Sequence, residues 1–213
     1  HFFQIPDFRF QIPFFHTDAS QAPLYISLNT KKLGVDMLTL DAQKVYGPKG
    51  VGLLYKKRGV EIMPILLGGS QERGLRPGTE NVPGIVGFAK SLEIANAERE
   101  KETARLTKLR DYCIEKILSI APKAELNGSR SERVPNNVNI SFPGKEAEWL
   151  VLGLDAKGVA VGSRSACMSR KDPGSYVVAA LGKDREYATS SIRITLGRRT
   201  TKKDIDALVQ ALG

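Results

Sequence analysis

Between the apolar run Val35 to Leu40 and the apolar run Val51 to Tyr55 lies Asp41-Ala42-Gln43-Lys44-Val45-Tyr46-Gly47-Pro48-Lys49-Gly50, and this decapeptide constrains the chain more than any other stretch. Short aliphatic runs closed off by glycine and proline read as buried strands, so the segment between them reads as a tight connection. Lys44 then sits at a strand end, where a side chain can enter a pocket. An amine held there and stripped of water loses its proton readily and can form a Schiff base with a carbonyl compound. A solvated loop lysine is the plainer reading, and this segment alone leaves it open.

Three further segments bear on that choice. His16-Thr17-Asp18-Ala19-Ser20-Gln21 follows Phe14-Phe15 and reads as the end of another strand, with an acid and an amide placed to face one ligand. Asp18 can equally be a helix cap or a turn residue. The stretch from Gly68 to Asn81 is rich in glycine, carries Arg73 and Arg76, and runs into a helix beginning near Val82. Such a loop can offer backbone donors, a hydroxyl and a helix N-terminus to a phosphate, although it is neither a Walker loop nor a dinucleotide fingerprint. Ser163-Arg164-Ser165-Ala166-Cys167-Met168-Ser169 follows the apolar run Val159 to Val161 and precedes a polar stretch, which places Cys167 on an exposed loop. Arg164 and Arg170 beside it favour a thiolate nucleophile. The other cysteine, Cys113, shares helical spacing with Leu106, Leu109 and Ile117 and reads as a small core residue.

In this order the motifs resemble those of the pyridoxal-phosphate-dependent cysteine desulfurases of the class V aminotransferase family. The resemblance runs from His16 to Leu212 and rests on His16 to Gln21, Lys44 to Gly50, Gln71 to Asn81, Ser141 to Gly144, Ser165 to Cys167 and Ser190 to Arg193. It implies an α/β fold, the C-terminal part of a fold-type-I pyridoxal-phosphate transferase: a remnant of the large-domain sheet followed by a smaller α/β domain. It implies pyridoxal 5'-phosphate as cofactor, with Lys44 as the Schiff-base lysine, Asp18 on the ring nitrogen, Gln21 on the phenolic oxygen and Gln43 beside the lysine. Thr79 resembles a threonine that reaches the cofactor phosphate of a neighbouring subunit, which implies a homodimer. Arg193 resembles the arginine that grips the substrate carboxylate, a task suited to a bidentate guanidinium. Cys167 resembles the nucleophile that takes sulfur from L-cysteine, leaving alanine and a persulfide to hand to an acceptor or scaffold protein for iron-sulfur clusters or thiolated nucleotides. A selenocysteine lyase or an aminotransferase of the same family is an alternative, as is a non-catalytic interaction module.

The chain departs from the family pattern around the phosphate. Gln43 stands where histidine is usual, Asp41 where a phosphate-binding serine is usual, Arg164 replaces a small glycine and Met168 a hydroxyl residue. A carboxylate near a phosphate dianion is repulsive unless a cation intervenes. The family is about twice as long, and its Gly-Thr phosphate loop, ring-stacking histidine and substrate asparagine have no counterpart before His16. The remaining sheet is then expected to expose an edge and an apolar face. Residues 1–15, in which Phe-Gln-Ile-Pro occurs at Phe3 and again at Phe10, do not resemble the family and suggest neither a signal peptide nor a membrane span.

The formal charge of +9 raises the question of nucleic acid, but the basic residues are dispersed in short clusters such as Lys56-Lys57-Arg58 and Arg198-Arg199. No aromatic-basic interleaving or zinc spacing accompanies them, so neither nucleic-acid binding nor a metal site is expected; an anionic cofactor or acidic partner fits better. Two cysteines in unlike settings argue against a disulfide scaffold and for the cytoplasm. Apolar residues at helical spacing predict a helix or helix pair from Val82 to about Leu118, with a domain boundary near Glu98 that separates a partial cofactor domain, 1–98, from a small α/β domain, 99–213. In the latter, strands are predicted over Asn137 to Phe142 and Ser191 to Leu196, and a helix over Lys145 to Ala156 ended by Gly158. Thr201 with Asp204 opens a last helix through Leu212. Trp149 reads as a core or interface residue.

Overall fold

The computed structural model describes residues 13–163 and 174–213. The chain divides into two compact units, one reaching Glu100 and the other running from Lys101 to Gly213.

The first unit is built on a three-stranded sheet in the order β1 (His16–Asp18), β2 (Met37–Asp41), β3 (Gly52–Lys56). β1 and β2 are parallel, with Asp18 opposite Thr39, whereas β3 is antiparallel to β2, with Gly52 opposite Asp41. A parallel pair requires a crossover. Here it contains a 3-10 turn, Ala22–Leu24, and the single-turn helix α1 (Thr30–Leu33), which Asn29 caps through the Lys32 amide and Gly34 ends at φ 66°. Alternation along β2 sends Leu38 and Leu40 into the core, where they join Ala19, Val35, Ala42, Val45 and Phe88. Both expected strands form, but β3 is not buried: Leu53 is 42% and Leu54 48% exposed. Consecutive strand residues point to opposite faces, so both faces of β3 stand open.

The long apolar pattern produces a single helix, α2 (Val82–Ile120), rather than a pair. Its start is fixed by Asn81, whose side-chain oxygen accepts from the Gly84 amide at 3.2 Å. The second unit carries an antiparallel sheet of β4 (Glu125–Leu126), β5 (Asn137–Ser141) and β6 (Ser191–Thr195) in that order. Its helices after α2 are α3 (Ala147–Asp155), α4 (Tyr176–Ala180), α5 (Arg185–Thr189) and α6 (Lys202–Leu212). Val138, Ile140, Ile192 and Ile194 of the sheet are buried, as are Leu106, Ile114 and Ile117 of α2 and Ile205 and Leu208 of α6. The last helix opens on the expected box, Thr201 and Asp204 each bonding the other's backbone amide. Trp149 is not a core residue: it is 71% exposed on α3. Among the described residues no helix is long and apolar enough to cross a membrane.

Candidate active site

Because β1 and β2 run parallel, the chain leaves both at the same edge of the sheet. In open α/β sheets, ligands gather at the carboxyl edge, where successive loops turn outward. Asp18 ends β1 at this edge and Gln21 follows it; Asp41 ends β2, and Gln43 and Lys44 follow it. The Asp18 carboxylate accepts from the Ser20 hydroxyl at 2.6 Å and the Ser20 amide at 3.0 Å. These two bonds favour the charged form and hold Asp18 below the ordinary aspartate range. The turn geometry expected as the plainer reading of Asp18 is therefore present, and it also keeps the carboxylate ionised. His16 hydrogen-bonds across the strand pair to the Thr39 hydroxyl at 2.8 Å, which ties it to the sheet.

Lys44 lies on a 3-10 turn, Ala42–Val45, of which Ala42 and Val45 are buried while Gln43 and Lys44 are exposed. The pocket walls expected around Lys44 are thus not supplied by the described residues; the turn's inward face is taken by Ala42 and Val45. Asp41 organises the turn, accepting from the Gln43 backbone amide and from its side-chain amide, each at 3.1 Å. Tyr46 follows in the left-handed region at φ 62°, a conformation that costs a non-glycine residue free energy. Close packing on α2 fixes the rest of the connection. A Cβ at Gly47 would lie 2.7 Å from the Ser91 hydroxyl and 2.9 Å from the Ala42 carbonyl oxygen, and one at Gly84 would lie 2.5 Å from a Val51 methyl. Glycine inside a helix costs about 1 kcal/mol relative to alanine; here it admits the strand-end loop against the helix.

Thr79 is exposed in the loop before α2. That loop is held by its own contacts: the Gln71 side chain accepts from the Gly78 amide at 3.2 Å, and the Arg76 guanidinium donates to the Pro77 carbonyl. Glu72 and Arg73 both have positive φ, 48° and 60°. In the second unit Arg193 is half-buried on β6 and opposite Asn139. Its backbone also bridges Gly162, donating at 2.5 Å and accepting at 3.0 Å. Cys167, with Arg164 and Met168, lies outside the described residues. Cys113 is fully buried on α2, and burial pushes its thiol up to about 12, so it stays protonated at neutral pH.

Asp18, Gln21, Gln43 and Lys44 are therefore brought to one sheet edge, Thr79 belongs to the same unit, and Arg193 to the other. An ionised carboxylate, two amides and a primary amine form a donor set that suits a protonated ring nitrogen, a phenolic oxygen and an aldehyde. Ser20 escaped the sequence reading although Asp-x-Ser is a recognisable turn signal. A buried network also went unread: Asn127 donates to Ser141 at 2.8 Å and to Asn139 at 2.7 Å, and Ser141 donates to the Tyr187 carbonyl at 2.8 Å. Only folding brings these dispersed asparagines and serines together.

Comparison with known proteins identifies the family and the fold. The class-V aminotransferase family profile matches residues 11–208, so the match begins inside the stretch set apart as an unfamiliar leader. Cysteine desulfurase IscS of Dictyoglomus turgidum is 48% identical over 199 residues, which are 93% of this chain and 50% of that protein. Cysteine desulfurase IscS of Methanosarcina thermophila is 46% identical, covering 93% of this chain and 49% of its own length. A solved NifS-like protein superposes with a TM-score of 0.83 at 35% identity, over 93% of this chain and 51% of that one. The chain spans about half the length of the curated relatives it matches, and its mixed α/β fold is that of the corresponding part of the NifS-like proteins. It belongs to the class-V aminotransferase family.

Proposed function

We propose that this chain carries the lysine, the thiol and the carboxylate-binding arginine of a cysteine desulfurase that converts L-cysteine to L-alanine in the cytoplasm. The observation that carries this reading is the convergence of Asp18, Gln21, Gln43 and Lys44 at the carboxyl edge of two parallel strands, in a chain nearly half identical to proteins named for that reaction.

Pyridoxal phosphate, when bound, supplies an electron sink for the bonds at the substrate α-carbon. Asp18 fits the ring nitrogen because its Ser20 bonds keep it anionic; an anion there retains the proton on that nitrogen. Gln21 would donate to the phenolic oxygen, Gln43 would sit beside the lysine, and Thr79 would reach the phosphate of a second copy. Lys44 would hold the cofactor and, once released, take and return the proton at the α-carbon. Arg193 would receive the substrate carboxylate with two parallel N–H bonds. The Cys167 thiolate attacks the substrate sulfur, forming an S–S bond as the C–S bond breaks; the carbon is reduced as the thiol sulfur is oxidised, and the products are a Cys167 persulfide and alanine. That persulfide then meets a thiol or scaffold acceptor.

The pairing of Gln43 with Asp41 favours one second reading, an interaction module without catalysis, since both groups at the phosphate side already satisfy each other. Exposure to pyridoxal phosphate and L-cysteine, followed by mass mapping of persulfides, separates the two. The desulfurase reading expects a persulfide on Cys167, none on Cys113, and loss of sulfide release in Cys167→Ser with substrate binding retained. Undiminished sulfide release by that variant overturns it.

A further inference from the structure

One feature of the second unit takes no part in the chemistry above. A groove of about 610 Å³ lies between α2 and the start of α6, lined by Lys101, Ala104, Arg105, Lys108, Leu109 and the segment Thr200 to Lys202. The α2 positions recur at three- and four-residue spacing, so they form one stripe along the helix. Ala104 and Leu109 line the groove with the lysine side chains, whose long stems can cover apolar surface while the charged ends stay in water, and Lys101, Lys108 and Lys202 are exposed.

Cations outnumber carboxylates along the segments that line this groove. Residues 101–109 and 200–206 hold three carboxylates, and each is engaged. Glu102 is clamped by the Arg105 guanidinium at 2.7 and 2.9 Å, Asp204 closes the cap of α6, and Asp206 accepts from the Tyr112 hydroxyl at 2.5 Å. Arg105 also donates to the Thr200 carbonyl at 2.7 Å and the Gly197 carbonyl at 3.0 Å. It therefore acts as the brace that holds the wall of the groove against α2. Lys101, Lys108 and Lys202 remain as the rim cations, with Lys202 lying 4.8 Å from the centre of the Tyr112 ring.

We infer that this groove is a docking site for an acidic segment of a partner protein, in which an apolar side chain flanked by carboxylates enters the groove. Charge sign selects an anionic partner, and the apolar lining selects peptide over nucleic acid. Single-stranded nucleic acid binds through aromatic platforms, whereas Tyr112, the ring that meets Lys202 of this rim, is flanked by Lys116 at 5.6 Å and Lys202 at 4.8 Å. The inference is independent of whether Lys44 carries a cofactor.

The test uses a fluorescein-labelled peptide with a central leucine between glutamates, its glutamine counterpart, and a single-stranded RNA of matched charge. Fluorescence anisotropy should show the acidic peptide binding, weakening with salt, and losing about tenfold in affinity in the Lys101→Glu, Lys108→Glu double variant. Lys31→Glu with Lys32→Glu, which changes the net charge equally on α1, should leave binding nearly intact. Acetylation of the unaltered chain provides a readout that needs no variant: bound peptide should protect Lys101, Lys108 and Lys202 but not Lys31 or Lys32. Equal weakening by both double variants, equal binding of the glutamine peptide, tighter binding of the RNA, or uniform acetylation overturns the inference.

Discussion

At the scale of single residues, the chemistry depends on protonation states that short local contacts set. Asp18 owes its lowered pKa first to the Ser20 hydroxyl and then to the Ser20 amide. A carboxylate depressed in the folded state adds stability above its ordinary pKa and loses it as the pH falls through the lowered folded value. Ser20→Ala should therefore move the Asp18 carboxyl pKa upward and make unfolding set in at higher pH on acidification, which carbon-detected NMR titration and acid unfolding will show. An unchanged Asp18 titration in that variant contradicts the assignment. Cys113 provides the opposite case, since burial without a charged partner pushes its thiol up to about 12. Iodoacetamide at neutral pH should leave Cys113 unmodified in the folded chain and label it after denaturation.

At the scale of elements, what the sequence showed was whatever it encodes locally. The capping box at Thr201 and Asp204 and the strands flanking Lys44 all came from periodicity and punctuation that need only neighbours along the chain. Thr201→Ala should cost about 1 kcal/mol of stability, read from the midpoint of thermal or urea unfolding; no change would mean that α6 is held without its cap. The reach of α2 was legible in part: apolar spacing marks it on either side of a charged middle stretch, but that one helix rather than a pair crosses that stretch was not. Legibility ended where packing decides. The exposure of β3 and Trp149 follows from what lies across from them, not from their own composition, and Gly47 and Gly84 disclose their role only when Ser91 and Val51 are seen against them. Gly84→Ala should force Val51 out of place and cost about 1–3 kcal/mol, the range for overpacking, with looser binding of any ligand that touches Lys44. A gain in stability, as expected for an open helix position, would contradict the close contact.

At the scale of the whole molecule, the exposed apolar surface of the first unit stands out. Ile65 is 96%, Leu67 89% and Met63 76% exposed, and Leu53 and Leu54 of β3, earlier in the same unit, are open as well. Patches of this kind mark association surfaces, and an uncovered edge strand adds unpaired backbone donors and acceptors. The isolated chain should accordingly self-associate, and Ile65→Lys with Leu67→Lys should reduce that association, as measured by sedimentation velocity; a monodisperse monomer at all concentrations contradicts it. The central claim concerns Lys44, and the most direct measurement is covalent. The chain is incubated with pyridoxal phosphate, reduced with borohydride, digested and mapped by mass spectrometry. A single stable label is expected on the peptide that carries Lys44, abolished in Lys44→Ala and weakened in Asp18→Asn. A label spread over surface lysines, or located on another lysine of a fully folded chain, would contradict it.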